Sequence, residues 1–222
     1  MTITYTKDGE DDYHVDLPIY AKSSNQDDDT YYLAKGRKNL NEEDRFWQPS
    51  DPEGLTNLIN GLYKDDNNYE FDGKTQREQF RRCVRYLKRW RNHKNIYLHS
   101  IALTMATYHW LELDIDEQND NQVMFSLVKT ILDNFDWSGR LKIELPVTPK
   151  GDLLESVDDD AMTKLKEHFE TLRDNLKSAI DNPDAYEASK ALRKSFGDDF
   201  PEVDKNENAK KEESYVNTGT SA

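Results

Sequence analysis

Asp12-Tyr13-His14-Val15-Asp16-Leu17-Pro18-Ile19-Tyr20 alternates in side-chain character, with Tyr13, Val15, Leu17 and Ile19 on one side and His14, Asp16, Pro18 and Tyr20 on the other. A period of two is that of a half-buried β-strand. Pro18 supplies no ladder donor, which predicts an edge strand or an end to pairing there. Asp16, flanked by aliphatic residues, is costly to desolvate unless a cation meets it, and a divalent metal would do so. An aspartate on the wet face of a strand is equally ordinary solvated surface, so the stretch by itself leaves both readings open.

Upstream, Ile3-Thr4-Tyr5-Thr6 reads as a short strand and Lys7-Asp8-Gly9-Glu10 as the turn of a β-hairpin. Two strands are marginal in water, and Thr30-Tyr31-Tyr32-Leu33-Ala34 adds at most a third. Everything after that reads as helix. The expectation is a sheet whose remaining strands lie upstream or on another chain.

The 222 residues carry 44 acidic and 30 basic side chains, a net charge of −14, 35% hydrophobic residues and a mean hydropathy of −1.00. That size suits one large domain or one domain with an extension. No apolar run approaches the roughly 18 residues of a membrane span, and no signal peptide is visible at the start, so a cytoplasmic protein is expected. The single cysteine, Cys83, offers neither a disulfide framework nor a zinc site. The acidic balance argues against a DNA or RNA groove, which needs an excess of Lys and Arg. The cluster Arg77, Arg81, Arg82, Arg85, Lys88, Arg89 and Arg91 is the exception, and it suits a small polyphosphate. A solvated basic helix face is the plainer explanation of the same run.

Phe46-Trp47-Gln48-Pro49-Ser50 reads as loop leading to a helix over 53–63, with Asp51 as N-cap and Pro52 at its first position. Residues 65–74 form a polar connection. Thr75 to Asn92 is the clearest helix, with Phe80, Cys83, Val84, Leu87 and Trp90 on one stripe and Arg81, Arg85 and Lys88 on another. Ser100 is expected to cap the next helix, which holds His109 at the edge of the core. Asp114-Ile115-Asp116 has the spacing of a two-metal carboxylate pair but closes a helix without a glycine-serine loop before it, which favours a linker. Further helices are predicted over 122–135, after an Asp160 cap with a seam of Met162, Leu165, Phe169, Leu172, Leu176 and Ala179, and from Pro183 to Gly197. Leu141 to Leu145 is strand-like. From Val203 the composition is that of a disordered tail.

Taken in order, Tyr13 to Tyr20, Trp47 with Ser50-Asp51-Pro52, Arg81 to Trp90, Ser100 with Leu103-Thr104, Pro149 with Asp152-Leu153-Leu154, and Phe196-Gly197-Asp198-Asp199-Phe200-Pro201 resemble one family. It is the C-terminal part of bacterial cyclic-oligonucleotide synthases, the cGAS/DncV-like nucleotidyltransferases of antiphage defence. The resemblance implies an α+β fold, mostly helical. The end of a polymerase-β-like palm would occupy 1–45, a helical lobe 46–202 and a disordered tail 203–222. It implies Asp16 as a catalytic, metal-binding carboxylate for Mg²⁺ or Mn²⁺, and it places Lys88 and Ser100, with Arg85, Ser50 and Asp152, at a nucleotide such as ATP or GTP in a cleft between the lobes. The implied reaction is attack of a ribose hydroxyl on an α-phosphate, yielding a cyclic di- or trinucleotide second messenger. Some relatives are joined to targets through their C-termini by E1/E2-like enzymes, which makes Ala222 a candidate conjugation site.

The sequence departs from the family pattern in lacking the glycine-serine loop and the strand with two aspartates one residue apart. The expectation is a chain inactive alone, either a truncated form or one member of a split enzyme. The alternative is a non-catalytic helical interaction module or partner subunit.

Overall fold

The computed structural model describes residues 2–24, 30–36, 41–62, 76–112 and 119–205. The 65–74 connection, the Asp114/Asp116 pair, Ala222 and nearly all of the tail lie outside the described residues, as does the side chain of Asp16. The chain divides into two compact units, one of residues 1–62 with 145–151 and one of residues 63–144 with 152–222.

In the first unit, β1 (Thr2–Lys7) and β2 (Glu10–Asp16) form the expected hairpin. Asp8 (φ 55°) and Gly9 (φ 86°) both take the left-handed conformation at its turn, which matches the twist of the flanking strands. Ile3 lies opposite Val15 and Tyr5 opposite Tyr13, with the two tyrosine rings stacked at 4.7 Å. Pairing ends before Pro18, as its missing ladder donor predicts: β2 stops at Asp16 and the chain starts a new strand at Tyr20. The half-buried reading of residues 12–20 is corrected, because the apolar side is uncovered: Tyr13 is 56% and Ile19 49% exposed. Alternation reports which side is apolar, not whether another layer lies on it.

A separate sheet has the order β3-β4-β5, made of β3 (Tyr20–Lys22), β4 (Tyr31–Lys35) and β5 (Phe46–Ser50), all antiparallel. The expected third strand therefore exists but is the centre of its own sheet, and the segment read as loop over 46–50 is a strand. Pro49 is tolerated because β5 has β4 on one side only, where Pro49 pairs with Tyr32. A short helix, α1 (Gly54–Gly61), comes next, and the Asp51 carboxylate caps it by accepting from the Gly54 amide at 2.7 Å. A Cβ at position 54 would collide with that carboxylate.

The second unit holds every buried apolar residue among those described. Its helices are α2 (Gln76–His93), α3 (Ser100–Trp110), α4 (Asp120–Asp133), α5 (Asp159–Asp181) and α6 (Ala185–Phe196). All six predicted seam residues of α5 are buried, and α5 packs against both α4 and α6. The predicted stripe of α2 is buried against α3, α4 and α6, and Trp90 meets Phe169 of α5 at 4.8 Å between ring centroids. Leu141 and Ile143 are buried in extended chain, but only β6 (Glu144–Leu145) is laddered, with β7 (Gly151–Asp152).

Three local expectations are corrected. Asp158, not Asp160, caps α5: its backbone is extended and its carboxylate accepts from the Ala161 amide at 2.8 Å, which leaves Asp159 and Asp160 within the first helical turn. His109 is exposed, and its Nε2 lies 2.8 Å from the Glu144 carbonyl. Ser100 does not cap α3: it is the first helical residue, His99 stands at the N-cap position, and the Ser100 hydroxyl accepts from Arg91 instead.

Candidate functional site

Helix α2 carries the basic cluster, and packing divides the cluster by task. Arg82 forks onto Asp120 at the start of α4, with Nε to Oδ2 at 2.6 Å and Nη2 to Oδ1 at 2.8 Å, and the Tyr86 hydroxyl donates to the same carboxylate at 3.2 Å. This hydrogen-bonded pairing raises the Arg82 pKa above its ordinary value. Arg89 donates to the Phe196 carbonyl at 2.7 Å and pairs with Asp199 at 2.8 Å. Arg91 donates through Nη1 to the Leu98 carbonyl at 2.8 Å and to Ser100 Oγ at 2.9 Å. These three arginines hold helices and loops to α2. Burial pushes the neighbouring Cys83 thiol up to about 12, so it is a packed apolar group and not a nucleophile.

Arg81, Arg85 and Lys88 succeed one another at i, i+4 and i+7 and share a face. Arg81 is exposed and pairs with Glu78 at 2.9 Å. Arg85 is exposed and Lys88 half-buried, and among the described residues neither meets a hydrogen-bonding or ion-pairing partner. The sequence marks seven cations, and the fold leaves these two uncommitted among the described residues.

Ser100 opens α3. Because its oxygen accepts from Arg91, its hydroxyl proton remains for an oxygen acceptor, and the Arg91 fork fixes where that hydroxyl stands. Sequence reasoning misses this positioning arginine, although its place nine residues before Ser100 across a helix-loop-helix is a visible signal. Asp152 is half-buried, and its Oδ1 accepts from the amides of Ile143 (3.0 Å) and Leu154 (2.9 Å), so one oxygen braces the backbone. In the first unit, Ser50 ends β5 opposite Tyr31 and Asp16 ends β2 opposite Thr2.

The motif Phe196 to Pro201 is a structural clasp. The Phe196 ring faces Tyr86 and Phe200 at 6.1 and 5.5 Å, while Arg193 donates to the Phe200 carbonyl at 2.7 Å. Gly197 has φ 89° and ψ 176°, a region essentially reserved for glycine. A Cβ there would also stand 2.7 Å from Arg89 Nη2 and 2.8 Å from His93 Nδ1.

Among the described residues no three His, Cys, Asp or Glu side chains come together as a metal-binding group.

No family model and no curated protein matches the sequence. Solved structures do. The apo form of Vibrio cholerae DncV matches with a TM-score of 0.63 at 22% identity, over 85% of this chain and 47% of that one. DncV cyclic AMP-GMP synthase in complex with a linear intermediate matches with a TM-score of 0.63 at 21% identity, over 85% and 48%. The same protein in complex with nonhydrolyzable GTP matches with a TM-score of 0.62 at 22% identity, over 83% and 47%. The chain thus spans about half the length of the structures it matches, and over that span it has the nucleotidyltransferase fold of DncV.

Proposed function

We infer that the chain is the nucleotide-holding part of a nucleotidyltransferase that joins nucleoside triphosphates, ATP or GTP among them, into a cyclic product. The carrying observation is the pair Arg85 and Lys88, without partners among the described residues on a helix where Arg82, Arg89 and Arg91 are tied down, within a fold shared with a cyclic AMP-GMP synthase. Charge-assisted bonds from such cations favour a triphosphate. Ser100, aimed by Arg91, adds a hydroxyl at a helix start, where phosphates are favoured. Divalent metal would supply charge stabilisation and activation of the attacking hydroxyl, and Asp16 is the residue offered to it. The other carboxylates it needs come from a complementary polypeptide segment.

A second reading, a partner subunit without catalysis of its own, is favoured by the uncovered apolar side of the β1–β2 hairpin. Calorimetric titration of the chain with ATP and GTP separates the two. Binding that weakens roughly tenfold or more on combined Arg85→Ala and Lys88→Ala substitution is expected for the first, with no pyrophosphate released from Mg²⁺- or Mn²⁺-containing mixtures of the four triphosphates. Absent binding leaves the partner reading, and turnover by the isolated chain overturns the need for a complement.

A further inference from the structure

The segment after α6 turns back toward the basic helix at Gly197 (φ 89°) and brings Asp198, Asp199 and Glu202 with it. Two of these carboxylates serve α6 itself, where Arg193 meets Asp198 at 3.2 Å and Glu202 at 3.8 Å. The segment is further tied to α6 by the Val203 amide, which donates to Ser189 Oγ at 3.3 Å. Asp199 points the other way. Its Oδ2 stands 2.8 Å from Arg89 Nη2 on α2.

Arg89 is therefore held by two contacts of different kinds. Its Nε donates to the Phe196 carbonyl at 2.7 Å, a part-buried bond that fixes the guanidinium in place. Its Nη2 meets Asp199 in a solvated pair, with the two side chains 43% and 82% exposed. An exposed ion pair shifts an equilibrium by no more than about fivefold. The guanidinium is thus anchored at one nitrogen and open to exchange at the other.

That open nitrogen lies beside the uncommitted cations. Arg89 follows Arg85 at i+4, about 6 Å further along the axis, where helix side chains are neighbours and like charges repel. Lys88 precedes Arg89 directly and flanks the same strip. The Asp199 carboxylate relieves this repulsion at one end. A phosphate would relieve it more fully, because it carries more charge and more acceptor oxygens than a carboxylate.

We propose that Arg89 is a third phosphate-binding cation masked by the strap of residues 197–203: Asp199 occupies Nη2 in the place of a phosphate, and a triphosphate bound at Arg85 and Lys88 displaces it. The contact is autoinhibitory and rests on the functional reading above. Strap and ligand exclude each other at one nitrogen, so by linkage whatever loosens the strap tightens the ligand.

Calorimetric titration of the full chain with inorganic triphosphate tests it. Asp199→Asn should keep the fold, since the Phe196 carbonyl and the Arg193 contacts still hold the segment. It should tighten triphosphate binding about two- to fivefold. Asp198→Asn removes the same charge from the next position but frees Arg193 of α6, and should tighten binding clearly less. In an Arg89→Gln background the gain from Asp199→Asn should vanish, because the double-mutant cycle isolates that pair. Unchanged affinity in Asp199→Asn, an equal gain from Asp198→Asn, or a gain that survives Arg89→Gln overturns the masking and leaves binding at Arg85 and Lys88 standing. Failure of triphosphate to bind either the unaltered chain or Asp199→Asn overturns both.

Discussion

The two units of this chain differ most in how they treat apolar side chains. Every described buried apolar side chain belongs to the helical unit, where Trp90, Leu172 and Ile131 are essentially sealed from water. The strand unit instead shows Ile3, Tyr5, Tyr13, Val15, Leu17 and Ile19 at 39–56% exposure. Hydrophobic burial is the main force offsetting chain entropy, so the helical unit carries its own stability. The hairpin relies on cross-strand pairs that contribute a fraction of a kcal/mol to about 1 kcal/mol each. The sequence pattern is equally regular in both, which teaches that periodicity selects a face and that only a second layer turns it into a core.

The largest expected effect breaks that comparison if it fails. Trp90→Ala should cost about 3–5 kcal/mol in urea denaturation followed by far-UV circular dichroism, since it empties the contact with Phe169. Tyr13→Ala should cost under about 1 kcal/mol, because it removes one stacked pair from a solvated face. Equal losses would mean that the hairpin face is covered in solution.

A smaller effect sharpens how the helical unit is closed. Gly197→Ala should cost about 1–3 kcal/mol by the same measurement, from a backbone region closed to other residues and from the approach of Arg89 and His93. Protease cleavage after α6 should rise with it, because Arg89, Phe196 and Asp199 form one clasp. A neutral Gly197→Ala would reduce the motif to a loose end.

Much of the helical unit is legible in the sequence because a 3.6-residue period names its buried face directly, as the α5 seam and the α2 stripe show. The hairpin is legible from Asp8-Gly9, whose conformational preference is local. The strand β5 is not, since Phe46 to Ser50 contains a proline and no alternation, and its partner β4 is set by pairing across a long connection. Of the site, the sequence points to the cations and to Ser100 but not to their division of labour. Which arginine is committed depends on Asp120, Phe196 and Asp199, residues distant in the chain.

The smallest effect on stability bears hardest on function. Arg85→Ala with Lys88→Ala should shift unfolding free energy by no more than about 0.5 kcal/mol, as for surface positions without a special contact. Arg82→Ala should cost about 1.5–3 kcal/mol, since it strips a bidentate, largely buried partner from Asp120. Both changes lie on one helix and remove the same kind of charge, so a difference between them reports commitment to the fold rather than charge itself. A costly Arg85/Lys88 pair would make the stripe structural and remove the observation on which nucleotide binding rests. A neutral pair that still weakens ATP and inorganic triphosphate alike leaves those two cations with no task inside the protein. Their uncommitted charge is then best accounted for by a ligand that brings phosphates to the α2 face.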